Sequence, residues 1–71
     1  MSAQLGERLR IERARLHESQ EVIAARVQMT ASALSAMECG KSVPRSDHLA
    51  ALADVYGVTM DYLYGRTEER R

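Results

Sequence analysis

The sequence is poor in several residue types that mark other classes of protein. It has one cysteine, so it cannot form an intramolecular disulfide, and we expect a cytoplasmic protein of a reducing compartment. It has three tyrosines but no tryptophan or phenylalanine. No uncharged apolar run is long enough to span a membrane, and the first ten residues lack the apolar stretch of a signal peptide. These features favour a small cytoplasmic domain over a membrane protein.

The size and charge of the chain narrow its possible partners. Its 71 residues predict one domain with a small core, which association with a second subunit would help to stabilise. The formal net charge is zero, which argues against a general polyanion binder. The charges are uneven, however, with seven basic and five acidic residues up to Arg45, and three basic and five acidic residues after it. The more basic part contains an unusual helix of alanines and serines, described below.

The first helix is predicted over 3–17. Leu5, Leu9 and Leu16 recur at helical spacing and mark its apolar face. The opposite side carries four arginines, and we expect it to be a solvated face with exposed ion pairs. These arginines are Arg8, Arg10, Arg13 and Arg15, and their expected partners are Glu7 and Glu12.

Two shorter helices are predicted at about 20–27 and 31–38, separated by a three-residue turn. Ser19 and Thr30 are good N-cap residues for them, because a hydroxyl oxygen accepts a hydrogen bond from the free backbone N–H groups of a first turn. Gly40 suits the left-handed position that closes a helix. Apolar residues expected to face the core are Ile23, Ala24, Val27, Leu34 and Met37.

Two more helices complete the predicted fold. The fourth begins near Ser46, whose hydroxyl is expected to cap it, and closes at Gly57. Thr59 caps the last one, from Met60 to about Tyr64. Core positions expected in this part are Leu49, Leu52, Ala53, Val55, Val58 and Leu63.

These elements predict an all-α fold, a compact five-helix domain over 1–65. The remaining residues, 66–71, are charged, and we expect them to fray. The helices at 20–38 have the spacing of a helix-turn-helix, whose second helix enters the major groove of DNA.

An ordered set of residues around this motif resembles one family. It runs Leu5-Gly6-Glu7-Arg8-Leu9-Arg10, Ser19-Gln20-Glu21, Ile23-Ala24, Leu34-Ser35, Met37-Glu38, Gly40-Lys41, Pro44, Leu49, Leu52-Ala53, Gly57-Val58 and Asp61-Tyr62-Leu63. With this set, over about 5–65, the chain resembles the Cro and phage-repressor (XRE-like) helix-turn-helix transcription regulators, with their lambda-repressor-like DNA-binding domain. The resemblance implies a domain that binds operator DNA, usually as a homodimer.

The same resemblance implies roles for individual residues. Gln20 matches a position that touches phosphate and braces base-reading side chains, and Thr30 matches a cap position near phosphate. Glu38 matches a largely structural acidic position. The groove-facing positions are Ala31, Ser32, Ser35 and Ala36, and the loop positions that contact the DNA backbone are Lys41 and Arg45.

The chain departs from the family pattern on its recognition helix. Many relatives carry long polar side chains where this sequence has Ala31, Ser32 and Ala36, and glycine where it has Gln28. Serine hydroxyls and alanine methyl groups would then read bases, the methyl groups by contact with thymine, and DNA shape would supply further specificity.

Two functions remain open on this scaffold. The first is a sequence-specific DNA-binding transcriptional regulator, a repressor in our interpretation, that binds double-stranded DNA as a homodimer. The alternative is a protein-interaction module of the anti-repressor or antitoxin type, because a flat alanine and serine face suits close helix packing. We expect no enzyme, no metal and no cofactor, since His17 and His48 stand alone without metal-ligand or catalytic spacing. We also expect no membrane partner and no domain for a small-molecule ligand.

The carboxyl-terminal part is richer in apolar residues than so short a helix needs. Tyrosine tolerates a half-wet boundary, so the excess predicts a dimer interface. Its members are Tyr56, Met60, Tyr62 and Tyr64. Cys39 follows the third helix, where a partly buried structural residue and a redox sensor are both open readings.

Overall fold

Five α-helices form the fold across residues 2–71, the part of the chain that the computed structural model describes, with side chains from Gln4 onwards. They are α1 (Ser2–Arg15), α2 (Gln20–Arg26), α3 (Ala31–Glu38), α4 (Ser46–Tyr56) and α5 (Met60–Tyr64). No strand occurs in that range, so the all-α, five-helix prediction is confirmed. None of the helices there is both long and apolar enough to cross a membrane. Met1, which the predicted domain included, lies outside the described residues.

Hydroxyl caps start three of the helices, as predicted. The Oγ of Ser19 accepts from the backbone N–H of Val22 at 3.2 Å, and the hydroxyl of Thr30 accepts from Ala33 at 3.0 Å. Thr59 caps α5 in the same way, at 3.0 Å from the N–H of Tyr62. Each bond satisfies one of the orphan N–H groups of a first turn.

The start of α4 differs from its prediction. Ser46 is the first helical residue rather than the cap, because Arg45 already has the extended backbone of an N-cap (φ −70°, ψ 155°). No side chain caps this helix, and the carboxylate of Asp47 accepts instead from the N–H of His48 at 2.8 Å. Its other end is as expected, since Gly57 closes α4 with a φ of 68°.

The end of α1 also differs from its prediction. The helix stops at Arg15, two residues early, and His17 turns the chain with a φ of 57°. Leu16 therefore leaves the apolar face of the helix and is 41% exposed, where we expected it inside. Leu5 and Leu9 are buried as predicted.

The core lies between the helices, and each of the five contributes buried apolar residues to it. Val55, expected inside, is only half-buried at its edge. All the other predicted core residues of α2 to α5 are buried, namely Ile23, Ala24, Val27, Leu34, Met37, Leu49, Leu52, Ala53, Val58 and Leu63. Tyr56 and Tyr62 join them there.

Gly6 marks the closest approach of α1 to α3. A Cβ atom placed on Gly6 would stand 2.6 Å from the carbonyl oxygens of both Met37 and Glu38. That distance is too short for a real Cβ contact, so a residue without a side chain lets the two helices pack at this spacing. The last turn of α3 therefore rests directly on α1.

The arginine-bearing side of α1 is only in part the solvated face that we expected. Arg10 and Arg15 are exposed, and Arg15 pairs with Glu12 at 3.4 Å as predicted, but two charged residues of this side are buried. Glu12 is 1% exposed and Arg8 is 7% exposed. The carboxylate of Glu12 accepts from the hydroxyl of Tyr62 at 3.0 Å and from Nε of Arg70 at 2.9 Å. These partners come from the far end of the sequence, and they compensate the burial of the charges.

The tail over 66–71 returns along α5 instead of fraying as expected. Arg8 donates from Nη1 to the carbonyl oxygens of Tyr62 and Thr67, each at 2.7 Å. The N–H of Thr59 donates to the carbonyl oxygen of Arg70 at 2.9 Å. The tail is thus attached to both α1 and the start of α5.

Candidate nucleic-acid interface

A tight turn joins α2 to α3 and fixes the angle between them. Gln28 has a left-handed backbone with a φ of 59°, a conformation that suits glycine better. The N–H of Met29 then donates to the carbonyl oxygen of Ala24 at 2.9 Å, which closes the end of α2. Met29 packs against the core, and the next residue, Thr30, is the N-cap of α3. The structure therefore contains the predicted helix-turn-helix.

The eight residues of α3 divide into a buried side and an outward side. Leu34 is fully buried and Met37 is 6% exposed, so the helix is anchored in the core through them. Ser32 is exposed on the outward side, and the other predicted groove-facing residues are half-buried, namely Ala31, Ser35 and Ala36. The outward side is accordingly made of short side chains.

A buried carboxylate fixes α3 from behind. Glu38 is 4% exposed, and it accepts two hydrogen bonds from Arg13 of α1. Nε2 of Gln20, the first residue of α2, donates a third at 3.1 Å. One side chain of α3 is thus held by both neighbouring helices, which agrees with the structural role that the resemblance implied for it.

The same contact stabilises the charged form of Arg13. The hydrogen bond to Glu38 raises the pKa of the Arg13 guanidinium, and the charge of Glu38 adds to this effect against the opposing effect of burial. The charge of Glu38 is therefore compensated by that of Arg13 within the domain. Glu38 does not present an unpaired negative charge near the outward side of α3.

The cations expected to meet a DNA backbone lie in the connection after α3. Lys41 and Arg45 are both exposed, and so is the large apolar side chain of Val43 between them, at 73%. Arg45 stands 3.7 Å from the exposed carboxylate of Asp47, a pair too solvated to hold it in place. Both cations are free to approach phosphate groups.

None of the predicted DNA-binding residues is buried. Thr30, Ser32, Lys41 and Arg45 are exposed, and Gln20, Ala31, Ser35 and Ala36 are intermediate. The structure brings Gln20 to the end of α3 through Glu38, a connection that the sequence did not reveal. It also leaves Cys39 exposed, where one of our readings expected partial burial.

Two of the four residues expected at a dimer interface lie in the core. Tyr56 is 6% exposed and Tyr62 is 7% exposed, because their rings fill space between helices of the same chain. Met60 and Tyr64 are half-buried and keep part of their apolar surface at the edge of the core. Tyrosines at helical spacing do not show from sequence alone whether they face a core or a partner.

Comparison with known protein families identifies the family to which this chain is similar. A family model described as a helix-turn-helix domain matches residues 4–70. The chain belongs to the helix-turn-helix family. This confirms the resemblance to helix-turn-helix proteins that was drawn from the sequence.

A phage protein is similar to part of the chain. The 26 kDa repressor protein of Escherichia phage HK022 is 39% identical over 54 residues, which cover 76% of this chain and 23% of the phage protein. The chain thus spans less than a quarter of that relative's length. No solved structure matches this helix-turn-helix domain at a significant level.

Proposed function

We propose that this helix-turn-helix domain binds double-stranded DNA in a sequence-specific manner and regulates transcription, with α3 in the major groove. The observation that carries the proposal is the division of α3 into an outward side of short side chains and a buried side fixed to the domain. Its outward side has only short side chains and no free acid, while Leu34, Met37 and Glu38 fix it to the rest of the domain. A helix presented in this way fits the width of the major groove.

Base reading falls to the short side chains of α3. The hydroxyls of Ser32 and Ser35 each donate or accept one hydrogen bond with a base edge, and the methyl groups of Ala31 and Ala36 contact thymine methyl groups. Short side chains also let the helix backbone lie deep in the groove. Sequence-dependent DNA shape then supplies a share of the specificity.

Phosphate contacts hold the domain in register. Lys41 and Arg45 supply positive charge after α3, and Thr30 lies at its amino end, where the helix dipole favours an anion. Gln20 reaches phosphate from the start of α2 while its Nε2 braces Glu38. These contacts fix orientation and carry no sequence information.

A homodimer completes the proposal. The half-buried side chains of Met60 and Tyr64 on α5 are its centre, since Tyr56 and Tyr62 are used inside the chain. Pairing of two domains would place their α3 helices on half-sites about 34 Å apart. Sedimentation equilibrium should give twice 8.0 kDa, and Tyr64→Asp should give the monomer. A wild-type protein that stays monomeric both alone and on DNA would refute this part.

Repression in the cytoplasm is the proposed mode of action. The description of the phage relative as a repressor supports it. A domain that occupies an operator blocks other proteins from the same groove, and this needs no second activity.

Selection of bound sequences from a random DNA pool tests the proposal. We expect a two-fold symmetric site rich in A·T pairs at the positions that meet Ala31 and Ala36. Ser32→Ala should relax the preference at one position per half-site. A pool that stays random at low salt would overturn DNA reading, and it would favour the protein-interaction alternative.

A further inference from the structure

The tail over 66–71 makes contacts that the proposed DNA interface does not use. It leaves α5 at Gly65 and runs back beside the same helix, so that the carbonyl oxygen of Arg70 meets the N–H of Thr59 at 2.9 Å. Thr59 is the N-cap of α5. The tail therefore contacts α5 at the end where that helix begins, as well as continuing from the end where it stops.

An ion pair between a half-buried arginine and a buried carboxylate anchors the returning tail. Arg70 donates from Nε and Nη2 to the two oxygens of Glu12, a bidentate contact that is geometrically specific. The carboxylate is 1% exposed and also accepts from the hydroxyl of Tyr62. One acid on α1 thus connects the tail to a residue in the middle of α5.

A second arginine, on α1, also connects Tyr62 with the tail. The guanidinium of Arg8 lies 4.4 Å from the centre of the Tyr62 ring and donates to the carbonyl oxygens of Tyr62 and Thr67. The tail and the last turn of α5 therefore share one donor. Neither can move away from α1 without freeing the buried guanidinium.

The helix held by these contacts is too short to be stable by itself. α5 has five residues, whereas isolated helices of fewer than about 12 residues are marginal in water. Leu63 and Tyr62 insert into the core, and the other fixed points are the polar contacts to Arg8, Glu12 and Arg70. The orientation of Met60 and Tyr64 depends on all of them.

We propose that residues 66–71 act as a strap that locks α5 onto α1 through Arg70 and Glu12, and that releasing this contact loosens α5 as a unit while α2 and α3 stay folded. The strap then controls the surface formed by Met60 and Tyr64. Its effect on pairing rests on the proposed homodimer, whereas the locking of α5 does not.

Amide hydrogen exchange on Arg70→Ala tests the lock. The amides of Thr59, Leu63 and Gly65 should exchange at least about tenfold faster, because local opening becomes easier. Those of Met29, in the helix-turn-helix, and of Cys39 and Lys41, directly after it and bonded to α3, should change less than about threefold. Arg70→Lys keeps the charge but loses the bidentate geometry, so it should give an intermediate result.

Arg71→Ala is the matched control. It removes the same charge from the neighbouring residue, whose side chain is exposed. It should leave every amide within about twofold of the wild type. Unchanged α5 amides in Arg70→Ala would overturn the strap. The strap would also be overturned if both Arg70 variants accelerated amide exchange equally in α5 and in the helix-turn-helix. The contact would then contribute only to the global stability of the domain.

Sedimentation equilibrium separates the lock from its effect on pairing. In Arg70→Ala the dimer dissociation constant should rise at least about fivefold, and in Arg71→Ala it should not change. If the wild type is a monomer both alone and on DNA, the proposed homodimer is wrong and hydrogen exchange alone decides the strap. If the wild type is a dimer whose dissociation constant is the same in Arg70→Ala, control of the surface by the strap is refuted.

Discussion

Arg13 and Glu38 join α1 to the end of α3 by two parallel hydrogen bonds, from Nε to Oε2 at 2.8 Å and from Nη2 to Oε1 at 3.0 Å. Gln20 reaches the same carboxylate from α2. The outward helix is therefore oriented by one buried acid that contacts two other helices, in addition to its apolar packing.

Replacing this acid should cost more than its size suggests. Glu38→Gln keeps the shape but removes the charge, so Arg13 is left as a mostly buried cation without its partner. We expect a loss of about 3 kcal/mol in the free energy of unfolding, measured in urea. Arg26→Ala, which breaks an exposed pair with Glu18 at 3.6 Å, should cost less than about 1 kcal/mol. Equal costs for the two variants would contradict the role assigned to Glu38.

Adding a methyl group at Gly6 should destabilise the domain although alanine is the better helix former. The new Cβ would meet two carbonyl oxygens of α3 at 2.6 Å, so the helices must separate. We expect Gly6→Ala to lower the unfolding free energy by about 1–3 kcal/mol, against a helix-propensity gain of about 1 kcal/mol. Ala14→Gly, at an exposed position of the same helix, measures that propensity separately. A more stable Gly6→Ala protein would show that the contact is looser than described.

Glu12, the buried acid on α1 that holds the strap, should make stability depend on pH in the acidic range. Burial opposes ionisation of Glu12, but hydrogen bonds from Arg70 and Tyr62, with the charges of Arg70 and Arg15, outweigh it and lower the pKa of the carboxyl. Because the native pKa is the lower one, this stabilisation is complete above the unfolded value of about 4.3 and is lost as the pH falls through the native value.

Thermal melts of Glu12→Gln from pH 7 to pH 2 check this prediction. The variant should be less stable than the wild type at pH 7, and the difference should shrink below about pH 4. Glu69→Gln, at an exposed position of the tail, should follow the wild type throughout. A Glu12→Gln difference that stays constant with pH would refute the assignment.

The hydroxyl of Tyr56 is an unsatisfied polar group in the core. Within the described residues it has no hydrogen-bond partner, and burial, followed by the charge of Glu38, raises the pKa of the phenol. Tyr56→Phe keeps the ring and removes a desolvation cost, so we expect a gain of about 0–2 kcal/mol by urea unfolding. Tyr62→Phe is the contrast, because that hydroxyl donates to Glu12 and its loss should destabilise. A strongly destabilised Tyr56→Phe protein would indicate that the hydroxyl is satisfied.

Lys41 should contribute to DNA affinity without contributing to sequence preference. Lys41→Ala should weaken binding to operator and random DNA by the same factor and reduce the salt slope of log K by about 1. Fluorescence anisotropy at several salt concentrations measures both quantities. Arg71→Ala changes the net charge equally and should leave the slope unchanged. A selective loss for operator DNA would place Lys41 among the base-reading residues.

Local signals in the sequence predicted the starts of three helices. The hydroxyls of Ser19, Thr30 and Thr59 each accept from an N–H only three residues later, so the whole contact lies in a short stretch of sequence. Ser46 was the exception, because Arg45 already had the extended backbone of a cap. The spacing of Leu34 and Met37 likewise placed the buried side of α3. Such features depend only on residues that are close together in the chain, so they can be predicted from a sequence pattern.

The polar interior could not be predicted in this way. Glu12 and Arg70 are 58 residues apart, and nothing in their local spacing connects them. Helical periodicity placed Arg8 on a polar side, which is correct for the helix alone but changes when the tail covers it. The same reason explains the tyrosines, since an amphipathic ring fits a core and an interface equally well by pattern.

The attachment of α3 through Glu38 separates the surface that we propose for the groove from the residues that set its orientation. A genetic screen for lost DNA binding should therefore recover substitutions at Arg13 and Gly6, which lie on another helix. Conversely, a library that varies the exposed position of Ser32 explores new target sequences on an unchanged scaffold. Substitutions on the outward side of α3 should therefore change the preferred DNA sequence and leave the fold of the domain unchanged.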